Sequence, residues 1–353
     1  MSNSSKSYEF EGASVEEAIK NALDSLSVRR EQIKIKIVCE EKKGLFGMEG
    51  AKPAKIKVIL KWQIFIKICL TWNNAMSKII AICNQKGGTG KTTTSVNLSA
   101  ALTFYDKKIL LVDGDPQGNC TSGVGVNKNT LDSSIYEALL GKKTINDIII
   151  KNVITNLDLV PCNINLTGAE IELVGAISRE TRLKRALESI KLEYDFIIID
   201  CPPSLGLLTL NSLVACDSII IPIQCEFYAL EGVSQLLQTI NLVRDSLNTN
   251  LKIEGVLMTM ADFRTNLTTE VINEIKSFFK ERVYETIIPR NIKLSEAPSF
   301  GKPIMLYDNS SIGAKKYDAL ARELLGIYKK YHNMLGINSI EVCGSENVEK
   351  KSG

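Results

Sequence analysis

Histidine is almost missing from this chain: its 353 residues include one, His332, in a polar stretch near the end. That sets aside histidine-based acid–base catalysis and histidine-ligated metal sites. The nine cysteines are odd in number and scattered, and none stands in a C-x-x-C pair. They read as reduced, mostly buried thiols of a cytosolic protein, not as a zinc or disulfide framework. No run of ~20 apolar residues occurs, so no stable membrane insertion is expected. The polar opening MSNSSKSYEFEG carries no secretory signal. Charge of one sign is lacking too, since the formal net charge is +3. Any contact with nucleic acid must therefore come from a local basic patch.

What is present is an ordinary globular composition, 44% hydrophobic and 24% charged. The length leaves room for two or more domains at roughly 100–200 residues each. One stretch organises the rest. Ile79-Ile80-Ala81-Ile82-Cys83 is short, apolar and β-branched enough for a buried parallel strand. A turn, Gly87-Gly88-Thr89-Gly90, follows it. Lys91-Thr92-Thr93 then opens a segment with Val96, Leu98, Ala101 and Leu102 at helical spacing. Strand, glycine loop and helix together make a phosphate-binding loop. Its backbone N–H groups turn toward a polyphosphate, and the helix start adds unpaired donors. Lys91 is placed for β- and γ-phosphate charge, and the Thr92 hydroxyl for Mg²⁺.

The common pattern G-x-x-x-x-G-K-[ST] fails at its first glycine, where Gln85 stands. A second lysine leads the loop instead, giving Lys86-Gly87-Gly88-Thr89-Gly90-Lys91-Thr92-Thr93. This resembles the deviant Walker A motif of the ParA/MinD ATPases. The resemblance implies that Lys86 reaches across a dimer to the partner subunit's nucleotide.

Two further strands end in carboxylates. Lys108 to Asp113 runs into Asp113-Gly114-Asp115-Pro116-Gln117-Gly118-Asn119. Asp195 to Asp200 is apolar up to its final carboxylate, a Walker B shape in which Asp200 holds the Mg²⁺ shell through water. Asp113 is expected in the same shell, and the DxDPQGN stretch is similar to the second signature of ParA proteins, which implies that Asp115 serves hydrolysis. The late segment Ile287-Ile288-Pro289-Arg290-Asn291-Ile292-Lys293-Leu294-Ser295-Glu296-Ala297-Pro298 resembles one found in chromosomal, Soj-type ParA proteins. By that resemblance Pro289 and Asn291 lie at the adenine. Arg264 and Lys293 touch DNA, with Arg290 their neighbour. Lys293 stands where arginine is usual, so its phosphate contact is a single point of charge and not a bidentate fork.

Before Met76 the pattern differs. Tyr8–Glu11 reads as a strand, and Ser14 with Glu17 as a capping box for a helix carrying Val15, Ala18, Ile19, Ala22, Leu23 and Leu26. Gln32–Val38 and Ala54–Ile59 alternate as half-buried strands about a basic KKGLFG turn. This β-α-β-β unit resembles the N-terminal domain of the Jag family, found in RNA-associated proteins. Its lysines read either as a solvated strand face or as a site for an anionic partner. Residues 61–75 hold both tryptophans, Trp62 and Trp72. They form a linker, read either as an interfacial segment or as sequence upstream of a natural start at Met76.

The expected fold is thus α/β. A P-loop NTPase with a mostly parallel sheet flanked by helices spans 76–330, after a β-α-β-β domain over 1–60 and the 61–75 linker, and before a polar tail over 331–353. The ParA resemblance, from Met76 to Tyr328, implies an ATPase using ATP and Mg²⁺. It also implies an ATP-dependent homodimer that binds non-specific double-stranded DNA, and a ParB-like activator. The place would be the cytoplasm, on the nucleoid when ATP is bound. A MinD-like membrane-associated ATPase and an RNA or protein adaptor built on the N-terminal module are the alternatives.

Overall fold

Isoleucine-rich runs bounded by turns build the centre of the molecule. In the computed structural model, which describes residues 7–26, 33–39, 53–60, 77–226 and 231–326, the chain forms two compact units, Met1–Asn74 and Ala75–Gly353. The smaller contains strands β1 (Ser7–Gly12), β2 (Ile33–Cys39) and β3 (Ala54–Leu60), with helix α1 (Val15–Leu26) after β1. The strands pair antiparallel in the order β1-β3-β2. Ala18, Ile19 and Ala22 of α1 pack on Ile56 and Val58 of β3. Ser14 Oγ accepts the Glu17 N–H at 3.2 Å, and the Glu17 carboxylate accepts the Ala13 N–H at 2.7 Å, so the helix start is capped. Lys55 pairs with Glu11 at 2.6 Å and Lys57 with Glu9 at 3.6 Å, all partly exposed. Two of the lysines offered to an anionic partner are thereby neutralised by their own sheet, as in a solvated strand face. The KKGLFG turn and residues 61–75 lie outside the described residues.

The larger unit is built on β4 (Lys78–Ile82), β5 (Ile109–Asp113), β6 (Ile150–Ile154), β7 (Leu157–Val160), β8 (Phe196–Asp200), β9 (Ser218–Gln224) and β10 (Lys252–Thr259). They form one 7-stranded sheet in the order β10-β9-β4-β8-β5-β7-β6. All pair parallel except β6, which runs antiparallel to β7 at the edge. Parallel strands need both faces covered, and β5 and β8 are buried at every residue. The chain winds outward from β4 to both sides, so its switch point lies among β4, β8 and β5, where such sheets bind ligands.

Helix α2 (Lys91–Thr103) crosses from the end of β4 and is buried from Thr94 to Leu102. It packs between the sheet and the helix Ile312–Leu324. Of its buried polar side chains, Ser95 Oγ lies 3.0 Å from the Lys91 carbonyl and Asn97 Nδ2 donates to the Thr93 carbonyl at 2.7 Å, while the Ser99 hydroxyl finds no partner among the described residues.

Strand β6 has no counterpart in the sequence reading; Asn152, at φ 53°, interrupts it. A helix occupies Arg182–Glu188. The last described helix begins at Ile312, where Ser311 caps it by accepting the Ala314 N–H at 3.2 Å. The polar tail lies outside the described residues.

The ends of β5 and β8 meet closely at Gly114. Its N–H donates to the Asp200 carbonyl at 2.9 Å, and a Cβ there would stand 2.7 Å from that same oxygen. Gly114→Ala should therefore force β5 and β8 apart and cost about 1–3 kcal/mol. Urea unfolding of the full chain reads this directly; a midpoint unchanged from wild type would show that the joint yields freely.

Candidate nucleotide site

The ends of β4, β5, β8, β9 and β10 converge on one edge of the sheet. The loop after β4 is held from several sides. Asn84 donates from Nδ2 to the Pro222 carbonyl at 2.6 Å and accepts the Lys86 N–H on Oδ1 at 3.0 Å. Thr259 Oγ1, at the end of β10, donates to the Thr89 carbonyl at 2.9 Å. Gly88 and Gly90 take φ of 74° and 85°, a left-handed backbone that glycine adopts without steric cost. A Cβ built on Gly87 or Gly88 meets nothing within 4 Å, so the loop surrounds open space. Lys91 is buried, and its Nζ donates to the Lys86 carbonyl at 3.0 Å. Burial lowers its pKa, with the Asp200 charge opposing. A partly desolvated ammonium beneath an exposed glycine loop is what a polyphosphate would satisfy.

Asp200 lies beside Thr92. Thr92 Oγ1 donates to Asp200 Oδ2 at 2.8 Å and Ser95 Oγ to Asp200 Oδ1 at 2.8 Å. Asp113 is its partner in the sheet register. Burial, and then the Asp113 charge, push Asp200 up to about 8; burial pushes Asp113 up to about 6. Asp113 Oδ2 accepts both the Thr121 N–H and its hydroxyl at 2.7 Å, and Oδ1 accepts the Asp115 N–H at 3.3 Å. Asp113 thus shapes the turn that carries Asp115, while Asp200 meets the loop directly. Asp115 is buried, with Oδ1 accepting the Gln117 N–H at 2.9 Å. Two adjacent buried carboxylates suit a divalent cation. Among the described residues no cluster of three ligating side chains exists, so the remaining ligands of such an ion would be phosphate oxygens and water.

A cleft of about 530 Å³ opens beside the loop, within the size range of cofactor sites. Gly90, Thr93, Met260, Pro289, Asn291 and Tyr317 are among its walls. Pro289 and Asn291 thus line a cleft next to the phosphate loop. Asn291 Oδ1 also accepts the Leu294 N–H at 3.3 Å, which caps the helix Ile292–Glu296.

The three cations proposed for DNA are all on the surface and all paired. Arg264 forks onto Asp262 at 2.8 and 2.6 Å. Lys293 meets Glu296 at 2.9 Å, and Arg290 meets Glu226 at 4.0 Å. The Arg264 guanidinium holds the Asp262 carboxyl down at about 2.

Sequence reasoning missed Asn84, Ser95, Thr259 and Glu226. Each acts on a partner far along the chain or through a backbone atom. Only the serine, one turn into a helix already assigned, left a readable signal.

Family models match in two places: "AAA domain" over residues 77–253 and "Jag N-terminus" over 10–60. The sporulation initiation inhibitor protein Soj of Bacillus subtilis is 61% identical over 249 residues, 70% of this chain and 98% of that protein. The chain belongs to the ParA/Soj family of P-loop ATPases. The chromosome partitioning protein ParA of Myxococcus xanthus is 54% identical, over 71% of this chain and 88% of its own. Among solved structures, a cobyrinic acid a,c-diamide synthase from Mycobacterium smegmatis, with bound ADP and magnesium, superposes with a TM-score of 0.63. It is 38% identical, over 72% of this chain and 97% of that one.

The raised pKa of Asp200 yields a test. Asp200→Asn removes a carboxyl whose ionised form burial disfavours but a cation would need. The variant should melt at a higher temperature than wild type in EDTA and lose the further rise that Mg²⁺ with ATP gives wild type. Thermal melts under both conditions check this; an equal Mg²⁺–ATP rise in both chains would remove Asp200 from the cation site.

Proposed function

We propose that this chain is an ATP-driven partition protein, active in segregating a chromosome or plasmid, with control of replication initiation as a further outlet. The observation that carries the reading is the meeting of the glycine loop, Lys91, Thr92 and Asp200 at one sheet edge, in a chain 61% identical to Soj over 249 residues. ATP sits with its phosphates in the loop Lys86–Thr93 and its adenine in the cleft of Pro289 and Asn291. Lys91 answers phosphate charge from below. Thr92 and Asp200 hold the magnesium shell, with Asp113 fixed behind them. Magnesium, when bound, neutralises charge on the β- and γ-phosphates. Asp115, on its buried turn, orients the water that attacks the γ-phosphate.

Two subunits close face to face, each Lys86 contacting the other's phosphates. Arg264, Arg290 and Lys293 of both subunits then meet phosphates of duplex DNA without reading its bases. The ATP form is held on the nucleoid, and slow hydrolysis, quickened by a ParB-like partner, returns monomers. No helix among the described residues is long and apolar enough to cross a membrane. The paired lysines Lys55 and Lys57 leave the RNA-adaptor reading without a free basic face on β3.

Retention on non-specific duplex DNA at low salt tests this reading, without nucleotide, with ADP, and with ATP plus Mg²⁺. Binding only in the last condition is expected; liposome binding in its place would turn the reading to a membrane-associated ATPase. Asp115→Ala should keep ATP-dependent dimerisation and DNA retention while turnover falls to background. Arg264→Glu should leave nucleotide affinity alone, weaken retention, and reduce the salt slope by about 1 for each subunit.

A further inference from the structure

The side chain that is to cross the dimer is engaged at home. Lys86 Nζ lies 3.3 Å from Glu226 Oε2, just beyond the end of β9. Glu226 is itself held: Gln224 Nε2 donates to its Oε1, and Arg290 stands 4.0 Å from the same oxygen. Cys225, beside it, is anchored by its N–H to the Thr259 carbonyl at 3.1 Å. The backbone of Lys86 is also fixed, since its N–H donates to Asn84 and its carbonyl accepts Lys91 Nζ. Only the flexible four-carbon stem of Lys86 is left to move.

We propose that Glu226 is a positioning residue that latches Lys86 within its own subunit and so sets the ATP threshold for dimerisation. The inference rests on the sandwich-dimer reading above and adds the element that opposes it. Lys86 cannot serve Glu226 and the partner's phosphates together. Closing the dimer therefore breaks two latches, one per subunit, in exchange for two contacts to polyphosphate. The latch is made to open. Its side chains are 38% and 45% exposed, so water and salt weaken the attraction. A polyphosphate, with several charges in a desolvated interface, outcompetes a half-exposed carboxylate. Without that competitor, the latch neutralises the ammonium and keeps it from stray anions. Because Glu226 also faces Arg290 on the cleft wall, its position is kept when Lys86 leaves.

The test is sedimentation of the full chain with Mg²⁺ and a non-hydrolysable ATP analogue, comparing wild type with Glu226→Gln. Losing an exposed ion pair of this kind changes an equilibrium by roughly two- to fivefold. Two latches per dimer make that about four- to twenty-five-fold tighter dimerisation for the variant. The gap should narrow when salt is raised, because the latch is electrostatic; a packing role for Glu226 would not respond so. A wild type that dimerises beside a variant of equal or weaker dimerisation overturns the latch alone. A wild type that stays monomeric overturns the dimer reading and the latch with it.

Discussion

The nucleotide site depends on one buried aspartate. Asp200 accepts the Gly114 N–H on its backbone oxygen and the hydroxyls of Thr92 and Ser95 on its carboxylate. It thereby joins the end of β5, the phosphate loop and the first turn of α2 at one point. The cost is a carboxylate pushed up to about 8 beside another at about 6. Folding tolerates this because each charge is met by hydroxyl or N–H donors, and Lys91 lies in the same field. A site so arranged is incomplete without positive charge, so its affinity for a cation–phosphate pair is a consequence of how the sheet was closed. Stability is given up at the place where binding returns it.

The main sheet was legible because its strands are unmixed runs such as Phe196–Asp200, ending in chemistry or turns. The loop was legible for the same reason: glycines, lysines and threonines are contiguous there. What could not be read is whatever depends on two strand ends meeting. Thr259 bonding Thr89 spans 170 positions, and Asn84 bonding Pro222 spans 138. Nothing in a local pattern marks such pairs. Asp113 shows a second limit. Its place at a strand end gave no sign that its oxygens also accept hydrogen bonds from Thr121 and Asp115. Residue type and spacing bring a carboxylate to an edge, and only packing decides which way it faces. Strand β6 failed for a third reason, since a positive-φ asparagine breaks the period that betrays a strand.

The small N-terminal unit follows a simpler logic. One face of its sheet is closed by Ala18, Ile19 and Ala22 against Ile56 and Val58. The other face matches glutamates of β1 to lysines of β3. Cross-strand pairs of opposite charge favour this register over a one-residue slip, which would set the glutamates against apolar positions of β3. Lys55 and Lys57 are thus matched within the sheet, whereas Lys36 of β2 stands opposite Lys57 in the register.

The same pairing on the larger unit bears on how DNA would be gripped. Arg264, Arg290 and Lys293 each sit beside a carboxylate, so none presents a bare charge. A single exposed pair binds phosphate weakly, because the phosphate displaces an acceptor already in place. Useful affinity then needs many such exchanges at once, which one subunit with three cations does not supply. Doubling the surface raises the number of phosphates met together. Binding strength depends exponentially on that number, through the counterions released. In the proposed dimer, neutralised cations would therefore favour the paired state over the single one and make the proposed grip sensitive to assembly.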